Sequence, residues 1–213
     1  MFIYCKRLFP NILPTVSLLS GRVQEPNKDD WGKARQLIQY LNGTMDLHLV
    51  LHFDNLSIAR WHVDASFGVH EDFKSQSGGL LTLSLAGGAI ISSSSKQKLN
   101  TRSSTEAELV AVDDFIGKLL WTQRFLREQG YNLQKNILYQ DNKSAILLET
   151  KGRSSLGKRS RALLLRYFFI TDCVARGEVK IEHCPTENMV GDFFTKPLQG
   201  AQFRKFRKLI LGM

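Results

Sequence analysis

The sequence of 213 residues predicts an α/β fold: a mixed five-stranded sheet with flanking helices, preceded by a short helical segment. Two observations carry this reading. Up to about residue 55 the apolar residues recur at helical spacing. From about residue 57 three strand-like runs come first, then helical and strand-like runs alternate, an order that one mixed sheet with helices packed on it accounts for.

The elements follow in turn. In KDDWGKARQLIQYLNGT, Trp31, Ala34, Leu37, Ile38 and Leu41 share a helical stripe, with Asp30 expected as N-cap and Asn42-Gly43 as the stop. Strands are expected at 58–67, 79–85 and 89–93, with Gly87-Gly88 as a hairpin turn between the last two. SSTEAELVAVDDFIGKLLWTQRFLREQG reads as one long helix, opened by a Ser103/Glu106 capping box and closed at Gly130. NILYQ (136–140) is a short strand and NKSAILLE a helix. A Leu- and Phe-rich helix over roughly 159–175 ends at Gly177. VKIEH (179–183) is a strand, and NMVGDFFTK (188–196) a short helix closed by Pro197. The tail QFRKFRKLI aligns Phe203, Phe206 and Ile210 on one face and its basic residues largely elsewhere.

Composition narrows the function. The chain is 43% hydrophobic and 23% charged, ordinary for a globular protein with a substantial core. No apolar run reaches the ~18 residues of a membrane span, and MFIYCKRLF is too short and too soon charged for a signal peptide. Cys5, Cys173 and Cys184 form no close pair, which disfavours a disulfide framework or a cysteine zinc site and suits an intracellular compartment. The net charge is +9 and unevenly spread. Lys151, Arg153, Lys158, Arg159, Arg161 and Arg166 form one acid-free cluster; Lys196, Arg204, Lys205, Arg207 and Lys208 form another. Two such clusters favour a polyanionic partner, most simply nucleic acid.

Four acids sit where a fold of this kind collects chemistry. Asp64 lies inside the first strand, in WHVDASFG, although Asp is a poor strand former and costly to bury without a cation. Glu108 lies early in the long helix, beside its apolar stripe. Asp141 ends the fourth strand, and Asp192 falls between Met189, Val190, Phe193 and Phe194. Strand ends and helix starts are the usual site positions in open α/β sheets. Taken singly, Asp141 reads equally as a helix N-cap and Glu108 as a merely exposed side chain.

VDASFG, SSTEAEL, YQDNKSAI and MVGDFFTKPLQG, in this order over about residues 57–199, resemble the RNase H region of a copia-type LTR-retrotransposon polyprotein. The segment from CKRLFPNILP to YLNGT resembles the end of the reverse transcriptase region of the same polyprotein. The resemblance implies an RNase H-like domain over 57–199, preceded by a reverse transcriptase remnant over 1–56 and followed by a basic amphipathic helix over 200–213. It implies hydrolysis of the RNA strand of an RNA–DNA hybrid, with Asp64, Glu108, Asp141 and Asp192 as catalytic acids and metal ligands. Two Mg²⁺ ions about 3.5–4 Å apart, for which Mn²⁺ can substitute, would share Asp64. Lys158, Arg159, Arg161, Arg204, Lys205 and Lys208 are the expected nucleic-acid contacts, and the upstream reverse transcriptase region the expected protein partner. A cytoplasmic retrotransposon particle or the nucleus fits such a protein. No adjacent aspartate pair lies in an apolar strand, so polymerase chemistry is not expected; Asp29-Asp30 and Asp113-Asp114 are both helical. His183 reads as a strand residue rather than a catalytic base. The alternative to an active ribonuclease is a catalytically silent nucleic-acid-binding or remnant domain, and retention of all four acids favours the enzyme.

Overall fold

A computed structural model describes residues 9–54, 56–151 and 161–213, except for the side chains of 151 and 161–167. After a 3-10 turn, Pro10–Ile12, come helices α1 (Leu13–Ser20) and α2 (Lys28–Asn42). Strands β1 (Ile58–Ser66), β2 (Gln76–Thr82) and β3 (Ile91–Lys96) lead into the long helix α3 (Ser104–Glu128). Then β4 (Lys135–Gln140), α4 (Lys143–Lys151), α5 (Arg161–Ala175), β5 (Lys180–His183) and α6 (Gly200–Leu211) follow. The sheet order is β3-β2-β1-β4-β5. β1, β2 and β3 are antiparallel neighbours, while β4 runs parallel to both β1 and β5. This is the expected mixed five-stranded sheet with flanking helices.

Alternation along β1 divides the structure into layers. Ala59, Trp61, Val63 and Ala65 face a core shared with Ala111, Phe115 and Leu119 of α3 and with Ile170 and Cys173 of α5. On the other face, Leu80 joins Val190, Phe193 and Phe194 and the Phe206 and Ile210 pair of α6. A smaller cluster of Ile12, Val16, Leu19 and Leu37 holds α1 to α2, and α1 packs on β3.

Three local expectations are corrected. Asn27, not Asp30, caps α2: its side chain accepts from the Asp30 N–H, and the Asp30 carboxylate accepts from the Asn27 N–H. Asp30 thus serves as the third helical residue of a reciprocal box. Gly87-Gly88 is no two-residue hairpin turn, because β2 ends at Thr82 and β3 begins at Ile91. These glycines carry φ of +96° and +85° and let the connection meet the end of α6. Gly88 N donates to Leu209 O and Ala89 N to Ile210 O, both at 2.8 Å. β3 is shifted into the serines because Gln76 Nε2 bonds Ser94 Oγ at 2.8 Å, and Ser94 Oγ donates to Phe194 O at 2.6 Å. Finally, no single helix spans 188–196: 3-10 turns Thr186–Asn188 and Val190–Phe194 are separated by extended Met189. Residues 190–194 are all buried, so no amphipathic face favours a regular helix.

The long helix opens as expected at Ser103, whose side chain accepts from Glu106 N. Glu106 returns its bond one residue earlier, to Arg102 N at 2.7 Å.

A Cβ on Gly87 would lie 2.0 Å from Leu209 O, in a backbone region that already costs L-residues about 1–3 kcal/mol. Gly87→Ala is expected to lower stability by at least ~2 kcal/mol, which for a chain of this size is a fall of roughly 4–8 °C in Tm. A thermal melt checks this, and an unchanged Tm would mean that the β2–β3 connection does not rest on α6.

Candidate active site

The parallel register builds the site. His62 pairs with Tyr139, so two residues further along both strands Asp64 and Asp141 come side by side at their carboxyl ends. Glu108 reaches the same point from the first turns of α3. That helix start is tied down: Gln97 Nε2 bonds Ser77 Oγ at 3.0 Å and Ala107 O at 2.9 Å, and Ser77 Oγ donates to Asp114 Oδ2 at 2.8 Å. Asp64, Glu108 and Asp141 each offer a carboxylate oxygen, all lying within 4.8 Å of one another.

Asp141 does not cap the following helix. Asn142 does, accepting from Ser144 N and Ala145 N at 3.0 and 3.1 Å, while Asp141 accepts from Thr186 Oγ1 at 3.0 Å. Asp192 stands outside the three-carboxylate group and is joined to it through Lys196. Lys196 Nζ lies 2.8 Å from Asp192 Oδ1 and 3.7 Å from Asp64 Oδ2, and Thr195 Oγ1 donates to Asp64 Oδ2. Gly78, paired with Asp64 in β2, lets this segment settle on the sheet: a Cβ there would come within 2.6 Å of Phe194 and Thr195.

Charge in this space is strongly perturbed. Burial, then repulsion from Asp192, pushes the Asp64 carboxyl up to about 7 against the pull of Lys196 and Thr195. Glu108 is raised well above the usual carboxylate range by burial, then by Asp64 and Asp141. Burial also raises Asp192, against the pull of Lys196. Burial works against the Lys196 ammonium, yet Asp64 and Asp192 outweigh it, and its pKa is raised. An oxygen-only donor set in which buried carboxylates repel one another is the chemistry that a hard divalent cation satisfies. The group fits such an ion.

Several participants escaped the sequence reading. Lys196 was read only as one of a basic cluster facing a polyanion, whereas it pairs with Asp64 and Asp192. Gln140 and Glu149 gave no local signal. Gln140 Nε2 lies 3.5 Å from Glu108 Oε2. Glu149, on α4, is fully buried beside Gln140. Burial pushes its carboxyl up to about 8, while the Gln140 amide pulls it back. His183 is exposed at the end of β5.

Of the expected nucleic-acid contacts, Lys158, Arg159 and the Arg161 side chain lie outside the described residues. Arg204 and Lys208 are exposed on α6. Lys205 is also exposed, but its Nζ bonds Glu187 O at 2.8 Å and Asn188 Oδ1 at 3.0 Å. Among the described residues, no helix is long and apolar enough to cross a membrane.

No protein-family model matches the chain. It is 30% identical over 202 residues to the retrovirus-related Pol polyprotein from transposon TNT 1-94 of Nicotiana tabacum. It is 32% identical over 204 residues to that from transposon RE2 of Arabidopsis thaliana. Each match covers 94% of this chain. The chain is a relative of the Pol polyproteins of Ty1/copia-type transposons. The transposon Ty1-NL2 Gag-Pol polyprotein of Saccharomyces cerevisiae is 26% identical over 200 residues, 91% of the chain. The chain spans 15%, 14% and 11% of the length of these three polyproteins. Among solved structures, LC11-RNase H1 isolated from compost superposes with a TM-score of 0.48 at 15% identity, over 65% of this chain and 93% of that one. A second structure of LC11-RNase H1, in complex with RNA/DNA hybrid, gives 0.46 at 14% identity, over 64% and 93%.

Because the folded Glu149 carboxyl titrates near 8 and an unfolded one near 4.5, the folded state binds the extra proton between these values. Glu149 therefore lowers stability as pH rises through that window, by up to ~1.4 kcal/mol per pH unit. Glu149→Gln keeps the shape of the neutral acid and removes the titration. Melts from pH 5 to pH 8 should show the variant gaining on the parent protein, and a constant gap between them would refute a buried, proton-holding Glu149.

Proposed function

We propose that this chain is a divalent-metal-dependent ribonuclease that cuts the RNA strand of RNA–DNA hybrids as part of a retrotransposon polyprotein. The observation that carries the reading is the convergence of Asp64, Glu108 and Asp141 within 4.8 Å at the carboxyl ends of β1 and β4. Kinship to Pol polyproteins supports it. In this reading 57–199 is the nuclease domain, 1–56 the end of a reverse transcriptase region, and 200–213 an added basic helix.

Asp64, Glu108 and Asp141 would hold Mg²⁺ ions, or Mn²⁺ in their place, with Asp192 beside them. Once bound, such ions supply an activated water and neutralise charge on the leaving oxygen. Lys196 holds the Asp64 and Asp192 carboxylates in place and offsets part of their repulsion. Thr195 fixes the orientation of Asp64, and Thr186 that of Asp141. Arg204 and Lys208 track phosphates, while 2′-hydroxyl contacts select the RNA strand. The hybrid is the nucleic-acid partner and the upstream reverse transcriptase region the protein partner.

Asp64→Asn removes one repelling charge at nearly constant shape. The variant should lose cleavage of a labelled hybrid. It should also lose most of the Mg²⁺-linked stabilisation, which for the parent is about 2.7 kcal/mol at a hundredfold excess over Kd. Its metal-free form should melt no lower than the parent. Full retention of the Mg²⁺ shift would remove Asp64 from the metal site, and equal cutting of duplex DNA by the parent would sink hybrid selectivity.

Truncating the tail is no clean test of binding, since Phe206, Ile210 and Leu211 are core residues. Arg204→Ala with Lys208→Ala leaves that packing in place. The slope of log binding constant against log salt should become shallower by roughly 0.9 for each phosphate that the variant no longer neutralises. An unchanged slope in a filter-binding titration would assign these cations elsewhere.

A further inference from the structure

Behind the carboxylate cluster, on the α3 face of the sheet, two fully buried polar side chains stand one behind the other. Gln140 closes β4, and Glu149 lies in the last turn of α4. Gln140 points to this face because it follows core-facing Leu138 by two residues. Its backbone is fixed, paired with His183 in β5, and its carbonyl accepts from Cys184 N at 2.8 Å.

The Gln140 amide has a carboxyl on either side. Gln140 Nε2 lies 3.5 Å from Glu108 Oε2, and the same amide pulls the Glu149 carboxyl down against the push of burial. Gln140 Oε1 is shut off from solvent and accepts from nothing, and both Glu149 oxygens are shut off from solvent as well. With its carboxyl near 8, Glu149 keeps its proton at neutral pH and so carries the O–H that Gln140 Oε1 lacks. An acid and a primary amide are complementary along one edge: the acid O–H meets the amide carbonyl, and one amide N–H meets the acid carbonyl. The second amide N–H is then left for Glu108. Two apolar side chains would fill this space without the cost of burying an acid and an amide, so packing alone gives no reason for the pair.

We propose that Gln140 and Glu149 are a positioning pair for Glu108, in which the Glu149 acid locks the Gln140 amide and the amide holds the Glu108 carboxylate where it meets Asp64 and Asp141. Those two acids repel Glu108, and without a tether its flexible side chain would turn away from them. Neither Gln140 nor Glu149 belongs to the three-carboxylate group, and both act through Glu108. Partners behind a metal ligand typically change metal affinity by about 10–100-fold. That consequence rests on the metal reading of the carboxylates, whereas the orientation of Glu108 does not.

The test uses the full chain and two readouts. In the metal-free protein the Glu108 side-chain carboxyl carbon is followed by NMR, its signal identified by its disappearance in Glu108→Gln. Gln140→Met and Glu149→Met keep the side-chain length and remove the hydrogen bonds, and both should move this signal. Glu149→Gln keeps a neutral donor and an acceptor toward Gln140, and its Glu108 signal should stay near the parent position. Calorimetric titration with Mg²⁺ should give a Kd about ten- to a hundredfold weaker in both methionine variants, and within about threefold of the parent in Glu149→Gln. If a methionine variant fails to fold, Gln140→Asn draws the amide back by one methylene and should show the same two effects. A purely structural pair behaves differently: the methionine variants would lower the metal-free Tm and leave the Glu108 signal and the Mg²⁺ Kd unchanged, which would overturn the proposal. Glu149→Gln moving the signal as far as Glu149→Met would overturn it too. A Glu108 signal that moves as expected, in a protein whose parent binds no Mg²⁺, would sustain the positioning pair and remove the metal reading instead.

Discussion

Two strands far apart in the chain, β1 and β4, run parallel in a register that sets Asp64 beside Asp141, and the arrangement of the site follows from that pairing. A slip of one residue would turn every β4 side chain to the opposite face and separate the two acids. The register is held by Trp61 and Leu138, both fully buried and paired across the strands. Trp61 Nε1 adds a bond to Asn136 Oδ1 at 3.1 Å. Apolar packing thus fixes the spacing of like charges that, left to themselves, would move apart.

The repulsion so created is managed by neighbours from other elements. Lys196 and Thr195 come down onto Asp64 from the 3-10 segment, over a strand whose glycine leaves room for them. Gln97 pins the start of α3 so that Glu108 arrives at the same point. The carboxylates remain raised in pKa even so, a repulsion that a bound divalent cation would relieve.

The tail illustrates how one amphipathic sequence serves two ends. Phe206 and Ile210 complete the core on the far side of the sheet. The end of α6 is gripped from both sides, by Val50 N on Leu211 O and by Gly88 N on Leu209 O. Its exposed cations are therefore presented on a fixed surface.

Element type and order were legible because periodicity and caps are local. Ser103 before the long helix, Gly130 after it and Asp64 as a misfit in a strand each announce themselves within a few residues. The Asn27 cap was misplaced by one turn because Asn27 and Asp30 both suit such a position, their side chains accept from each other's N–H, and only the extended backbone at Asn27 marks it as the cap. The last short helix was misread because its period gave no warning that every residue of 190–194 would be buried. What the sequence by itself determined was the order of strands and helices and the set of unusual acids. Only the tertiary structure decided which acids meet, that Lys196 stands between Asp64 and Asp192, and that Glu149 lies buried behind Gln140. The physical reason is distance along the chain. Thr195 and Asp64 are 131 residues apart, and a contact of that span is set by register and packing, which no local pattern encodes.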